Sequence, residues 1–506
     1  MASAPRRPSG SPPRSAGSAE PVADTAPARS RDLTSGPIAP TLLAFALPTL
    51  LSSVLQSLNG SINAIWVGRF LGEDALAATS NANLVVFLLT SFVFGFGMAA
   101  TILIGQAFGR RDVEAARRAL GTAIGAIGLF SVLIVIAGWL LAPALLDLLG
   151  TPAGAEALAL DYLRVIFLAM PFALVMVLLM MALRGAGDSL TPLWFMGLAV
   201  LLDSGLNPVF ILGLGPAPAL GIAGSATATV VANSVALLAM VGYVYARDLP
   251  LRLRGAELRY LRPDPALLRT IIVKGVPMGL QMIVISASAL ALLGLVNRQG
   301  VDTTAAFGVA LQVWTYVQMP AMALGAAVSA MAAQNIGADR WDRVGAVTRA
   351  GILANLAVTG ALIGLLFLID RPVLALFLGE GSPALPIAQH IHLLATWSFV
   401  LFGVTMILFG TVRANGSVFA PLVILLIGLL PVRFGFALLA EPWLGADALW
   451  LSFPVSSLAN MLMAAAYYLH GGWRRASIAV PPRDPQACEE EGHAVAEPGG
   501  RLNPSG

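Results

Sequence analysis

The sequence predicts an all-α polytopic membrane protein, with twelve transmembrane helices in two parallel six-helix repeats. Three observations carry this. Of the 506 residues, 57% are hydrophobic and only 11% are charged, against roughly 25% charged in soluble globular proteins. The apolar residues gather into twelve runs, each able to supply the roughly 20 residues that cross a bilayer. Matched motifs also recur at a nearly constant spacing along the chain.

The runs lie near 40–66, 75–104, 119–149, 159–183, 190–214 and 219–246, then 269–297, 303–332, 345–369, 388–412, 418–442 and 446–470. Several exceed the bilayer thickness and imply tilt or kinks. Pro48, Pro171, Pro208, Pro277, Pro320 and Pro431 fall inside runs, where neighbouring helices can satisfy the carbonyls they free. Residues 1–38, including SAPRRPSGSPPRS, have no apolar core and are expected to be a disordered tail rather than a secretory signal. Residues 471–506 have the same polar, Pro- and Gly-rich character.

Orientation follows from the basic residues, which mark the cytoplasmic side. Arg6, Arg7, Arg14, Arg29 and Arg31 precede span 1, and Arg110, Arg111, Arg117 and Arg118 follow span 2. Seven more lie between Arg247 and Lys274; Arg340, Arg343 and Arg349 follow span 8; Arg413 follows span 10; Arg474 and Arg475 follow span 12. With twelve spans all of these share one side, so both termini are expected in the cytoplasm of a plasma-membrane protein. The net charge of +3 is spread over short loops, which excludes a basic face for nucleic acid. One cysteine, Cys488, excludes a disulfide framework, and there is no Cys/His cluster for a metal. GRRDVEAARRALG (109–121) and GADRWDRVGAVTR (337–349) have the pattern of solvated loop helices lying on lipid headgroups.

The two halves match. Pro48 and Pro277, Gly72 and Gly300, Gly97 and Gly325, Gln106 and Gln334, Arg184 and Arg413, and Pro192 and Pro421 sit 228 or 229 residues apart. An even number of spans per copy makes the repeats parallel, related by an axis along the membrane normal. The expected organisation is an N-lobe at 39–246, a cytoplasmic linker at 247–268 and a C-lobe at 269–470. Such duplicated bundles place a substrate path between them and point to a secondary transporter.

Five stretches carry a family resemblance: SINAIWVGRFLGEDALAA, IGQAFGRRD, LRGAGDSLTP, GIAGSATATVVAN and AAQNIGADRWDRV. In order, on duplicated halves from about residue 40 to 470, they resemble the multidrug and toxic compound extrusion (MATE) transporters. The resemblance implies two V-shaped lobes and export of organic, often cationic, compounds against inward H⁺ or Na⁺, with no cofactor. No GxxxxGK[ST] phosphate loop is present. In the family's N-lobe ion site, the first span carries an Asp and the fifth an Asn-x-x-x-Asp pair. Here those places hold Asn63 and, with acid and amide exchanged, Asp203 and Asn207; the family's following Thr is similar to Thr229. Spans 7 and 10 contain no acid, so the pattern resembles the DNA-damage-inducible-F-like branch.

The same residues stand out without the family. Gln56, Asn59 and Asn63 share one face of span 1; Asp203 and Asn207 are one turn apart on span 5, and Thr229 and Asn233 on span 6. Such polar stripes should point inward. An acid at membrane depth costs roughly 2.5–3.5 kcal/mol on insertion scales and marks a functional site by default. Asp203 suits a proton carrier, neutral when sealed and ionised when a water path opens. Na⁺ would draw on several oxygen ligands, which Asn63, Asn207 and Thr229 could supply; one carboxylate favours H⁺. The alternative is a structural acid tying spans 1, 5 and 6 together.

Arg433 is the other charge within a span, a candidate for the cavity wall, where it would disfavour strongly cationic substrates; a purely structural role is its rival. Arg184 and Arg413 read as structural anchors at equivalent span ends. His390 and His392 are expected in solvated surroundings near the mouth of span 10, with proton sensing as the rival role; Met170, Met176, Met180 and Met181 read as core or lipid packing on span 4, with a promiscuous binding surface as the rival. The expected partners are the lipid bilayer and small organic substrates, taken up by a monomer. Two rivals remain: a flippase or exporter of lipid-linked or metabolite substrates, which calls for a strongly basic cavity, and an intramembrane enzyme, which calls for paired acids or a mid-span His cluster. The sequence has neither feature.

Overall fold

The computed structural model describes residues 32–148, 153–215 and 218–478, and the regular structure among them is helical. The first half comprises α1 (Ile38–Leu71), α2 (Glu73–Gly109), α3 (Val113–Leu148), α4 (Ala153–Gly185), α5 (Leu190–Leu212) and α6 (Ile222–Ala246). The second comprises α7 (Pro265–Val296), α8 (Val301–Gly337), α9 (Trp341–Leu368), a short α10 (Asp370–Leu378), α11 (Ala384–Ala395), α12 (Ser398–Ala414), α13 (Phe419–Ile427), α14 (Arg433–Leu444) and α15 (Asp447–His470). Eleven stretches are long and apolar enough to cross a membrane, with α13 and α14 joined as one; α11 and α12, bent by 44°, make the twelfth.

The two stretches expected as loop helices on the membrane surface are instead the first turns of α3 and α9. Asp112 starts α3: its Oδ1 accepts the Ala115 N–H at 2.9 Å, an N-cap that lets the basic segment run straight into the apolar one. Helices α2 and α8 are each 37 residues long, about 55 Å at 1.5 Å per residue, so both extend beyond the hydrocarbon layer.

Within the first half, α2 packs on α4, α4 on α6 and α5 on α6; in the second, α8 and α15 both pack on α12. Large buried side chains such as Tyr162 and Phe167 fill the first core, and Phe307 and Trp314 the second. The halves touch where α2 crosses α7. A Cβ on Gly95 would collide with the Gly275 carbonyl, so glycine permits this approach.

The hydrogen bonds between halves gather at the end bearing Arg110, Arg340 and Arg413, here the basic end. Gln106 Nε2 donates to the Ala414 carbonyl at 2.8 Å and Gln334 Nε2 to the Gly185 carbonyl at 3.0 Å. Leu42, Phe45 and Ala46 of α1 pack against Ala327 and Val328 of α8 in one apolar cluster.

The connection between halves is shorter than expected because α7 starts at Pro265, capped by Asp264. It contains a 3₁₀ turn, Gly255–Leu261, seated on α3. Arg117 binds Glu257 at 2.5 Å and Arg118 binds Asp264 at 2.9 Å.

Both expected tails are docked where they are described. Leu33 is fully buried: its N–H reaches Gln334 Oε1 at 3.2 Å, and its carbonyl accepts from Asn335 Nδ2 at 3.0 Å. Trp473 is buried beside Tyr468, held by Asn415. The expectations for residues 1–31 and 479–506 lie outside the described residues.

Candidate functional site

Helices α1, α2, α4, α5 and α6 enclose a cavity of about 550 Å³ in the first lobe. Asp203 lies on its wall, 3% exposed, five residues before Pro208. Its carboxylate takes three neutral donors. Asn59 Nδ2 reaches Oδ2 at 2.8 Å; Thr229 Oγ1 reaches Oδ1 at 3.0 Å; Asn207 Nδ2 reaches Oδ1 at 3.3 Å. The Asn207 amide also donates to the Asp203 carbonyl at 2.9 Å, which fixes the acid and amide on one face of α5. Among the described residues no Arg, Lys or His lines the cavity. Asp203 is thus a carboxylate held by dipoles alone, drawn from α1, α5 and α6.

The polar stripes converge unevenly. Asn63 does not reach the carboxylate; its Oδ1 accepts Ser225 Oγ at 2.6 Å, tying α1 to α6 one turn away. Asn233 Nδ2 bonds the Thr229 carbonyl at 2.9 Å, and Gln56 lines the cavity beside Asn59. Asn59 Oδ1 and Asn207 Oδ1 are buried without partners, so two amide oxygens stand unused beside the carboxylate.

Two contributors escaped the sequence reading, Ser225 and the fully buried Tyr162 on the cavity wall. Ser225 had a signal, being four residues before Thr229 on the same helical face; Tyr162, alone on α4, had none. Met170, Met176 and Met180 are buried as expected and also line the cavity.

Elsewhere, Arg413 donates from Nε to Phe409 O at 3.1 Å and from a terminal nitrogen to Gln281 Oε1 at 3.3 Å, bonding α12 to α7. Arg184 Nε is buried without a partner. His392 is not solvated: it is fully buried, 3.1 Å from Asp370 Oδ1 and beside Trp314. His390 is half exposed and pairs with Asp447 at 2.8 Å. The bend between α11 and α12 turns His392 into the core. Arg433 lies in the other lobe, on a second cavity of about 380 Å³.

A family model described as MatE matches residues 48–209 and 277–439, one block in each half. The chain is 38% identical over 426 residues to the probable multidrug resistance protein YoeA of Bacillus subtilis, covering 84% of this chain and 92% of that one. It is 30% identical over 447 residues to the probable multidrug resistance protein YpnP of the same organism, covering 88% and 98%. A solved structure described as the outward-facing conformation of a multidrug resistance MATE family transporter superposes with a TM-score of 0.79. That alignment covers 88% of this chain and 97% of the other at 22% identity, a likeness of fold.

Proposed function

The chain belongs to the MatE family of transporters, and from that premise we propose that it exports organic, drug-like compounds in exchange for protons, with Asp203 as the coupling carboxylate. The observation that carries the reading is the bonding of Asp203: a deeply buried acid with three neutral donors and no cationic partner among the described residues. A permanent ion pair would hold such a group ionised and out of exchange. Dipoles alone leave it free to take a proton when water reaches it and to yield it on the other side.

The distribution of basic residues supports a cytoplasmic basic end, and with it cytoplasmic termini. The Gln106 and Gln334 bonds then hold the two lobes together at the cytoplasmic end. Alternating access follows if the two lobes rock, breaking these bonds while the opposite end closes.

A second reading has its own observation. The unpartnered Oδ1 atoms of Asn59 and Asn207, with the Asp203 carboxylate, offer several oxygens to a hard cation, so Na⁺ is the rival coupling ion.

Proteoliposome efflux of ethidium and of 2-naphthalenesulfonate, each driven separately by a pH gradient and a Na⁺ gradient, tests both. Proton coupling through Asp203 predicts efflux under the pH gradient and at least a tenfold loss in Asp203→Asn. Full efflux in that variant rules out the assignment. Efflux under the Na⁺ gradient alone transfers the coupling to Na⁺.

A further inference from the structure

The second-lobe cavity has the opposite polarity from the first, and its chemistry selects a ligand. Arg433 is the only ionisable side chain among the described residues that line it. No carboxylate among them lies within ion-pair reach of its guanidinium. Its Nε donates to Ser456 Oγ at 3.0 Å, and its carbon lies 4.6 Å from the centre of the Phe453 ring. Those contacts hold the plane of the group but leave its two terminal nitrogens without a hydrogen-bonded protein partner among the described residues. A fork of free N–H donors in this geometry fits a carboxylate, sulfonate or phosphate with two parallel bonds.

The local backbone is built to present it. Residues 428–432 form a π-helical turn between α13 and α14, whereas the equivalent stretch of α5, 229 residues earlier, is regular α-helix. The extra residue in such a turn rotates the rest of the helix by about 100°, one residue's share of a helical turn, and such turns recur at functional sites. Two contacts brace the turn. Ser288 Oγ bonds the Leu429 carbonyl at 3.2 Å, and the Asn460 side chain fills the space a Cβ on Gly428 would need. Asn460 Oδ1, also on the cavity wall, is buried without a partner.

The remaining wall is aromatic. Trp314 lies 4.9 Å from Phe453 and 5.5 Å from Phe399, centre to centre. Its Nε1–H is fixed on Thr396 Oγ1 at 2.8 Å, and at 2% exposed, packed against His392 and Phe307, it backs the wall from the core side. Phe399 and Phe402, 6.2 Å apart and only partly buried, present rings to the cavity. We propose that this cavity binds aromatic organic anions, with Arg433 taking the acidic group and the partly exposed Phe399 and Phe402, backed by Trp314 and Phe453, the ring. Under the repeat, Arg433 falls opposite Ser204, next to Asp203. The two lobes thus put opposite charges at matching depths, one for the coupling ion and one for cargo.

The site is defined by binding and does not depend on what drives transport. Purified protein in phosphatidylcholine nanodiscs is titrated calorimetrically with 2-naphthalenesulfonate and with the trimethyl-2-naphthylammonium cation of similar size. The wild type is expected to bind the sulfonate at least tenfold more tightly. Arg433→Gln should lose that preference and Arg433→Lys should keep part of it. Equal affinities for the two probes in the wild type, or undiminished sulfonate binding in Arg433→Gln, overturn the proposal. The wild-type comparison decides even where Arg433→Gln does not fold. Sulfonate binding without gradient-driven efflux of that sulfonate counts against the coupling reading and leaves this site standing.

Discussion

Gln106 of α2 and Gln334 of α8 hold the same place in the two halves, and each reaches across to the other. Gln106 Nε2 meets the last carbonyl of α12, on Ala414, at 2.8 Å, and Gln334 Nε2 meets that of α4, on Gly185, at 3.0 Å. Both glutamines are 3% exposed. A helix leaves its final carbonyls without partners, so each lobe satisfies an end the other exposes. The rocking proposed above would have to break both bonds to open this end, so in that scheme they favour the closed state. Replacing both glutamines by Ala should shift the balance toward an open basic end by about 1–3 kcal/mol, or 5–150-fold. Spin labels at Arg111 and Asp342, in a Cys488→Ser background, would report a longer-distance population. An unchanged distance distribution would show that the bonds do not bias the two states.

Beside this pair, backbone meets backbone. A Cβ on Gly109 would overlap the Gln334 carbonyl oxygen, and one on Gly337 would overlap that of Gln106. Neither obstacle is a flexible side-chain tip that can turn away. Gly109→Ala should therefore hinder closure of the basic end and cut gradient-driven efflux at least tenfold. Its thermal unfolding temperature should move little, because separation of the lobes, as proposed, would relieve the clash. Normal efflux with an unchanged spin-label distance would mean that the lobes slide to accommodate it.

Thr229 separates the chemistry of the first-lobe cavity from its shape. Thr229→Val keeps the volume and removes the 3.0 Å hydrogen bond to Asp203, and bonds to a charged group contribute about 1.5–3 kcal/mol. The efflux rate should fall about tenfold or more, and Thr229→Ser should restore it. Equal rates in the Val and Ser variants would make the hydroxyl a helix tie with no part in coupling.

How much of this was legible depended on how local each signal is. Apolar run length predicted the spans, and the constant spacing of Gln106 with Gln334 predicted two halves. The placing of Asp203, Asn59 and Thr229 on inward faces followed from helical periodicity. Their bonding did not, since Asn59 and Asp203 are 144 residues apart and only packing chooses Asn59 over Asn63. The docked tail segments were missed for the same reason. Leu33 and Trp473 stand among polar residues, and the amides that hold them, Asn335 and Asn415, are far away in sequence. His392 was misjudged because no residue pattern announced the bend after Ala395. Arg433 was recognisable as an unusual charge, but its free nitrogens and the π turn before it are properties of the fold.

The connection between lobes should loosen in acid. Glu257 accepts the Arg254 N–H at 3.0 Å and pairs with Arg117 at 2.5 Å. The Arg254 amide has the largest effect and holds its carboxyl below the ordinary value of 4.5; burial opposes it, and the hydrogen bond and charge of Arg117 lower it further. A carboxyl bound better as its anion contributes its full stability above that ordinary value and loses it as the pH falls through the lower folded one. A nitroxide at Ala256 should keep the same mobility from pH 8 to about 5 and become more mobile below about 4.5. Glu257→Gln should flatten this response. A transition above pH 6 would assign it to a different group.

The segment after α15 offers a test of how much a single amide can hold. Asn415 Nδ2 lies 3.1 Å from Trp473 O, 3.1 Å from Arg474 O and 2.7 Å from Ala476 O. It is 5% exposed, so removing it leaves carbonyls in a closed site that water fills poorly, a loss of about 1–3 kcal/mol. The ring of Trp473 has separate support: it stacks 5.5 Å from Tyr468 and lies 6.1 Å from Trp341 at the start of α9. Asn415→Ala should therefore release the backbone of 473–476 without expelling the ring outright. Amide exchange there should accelerate about 5–150-fold, while exchange in α12 stays slow because its own helical bonds are intact. Unaltered exchange at 473–476 would show that aromatic stacking alone docks the segment, and faster exchange spreading into α12 would show that Asn415 also caps that helix.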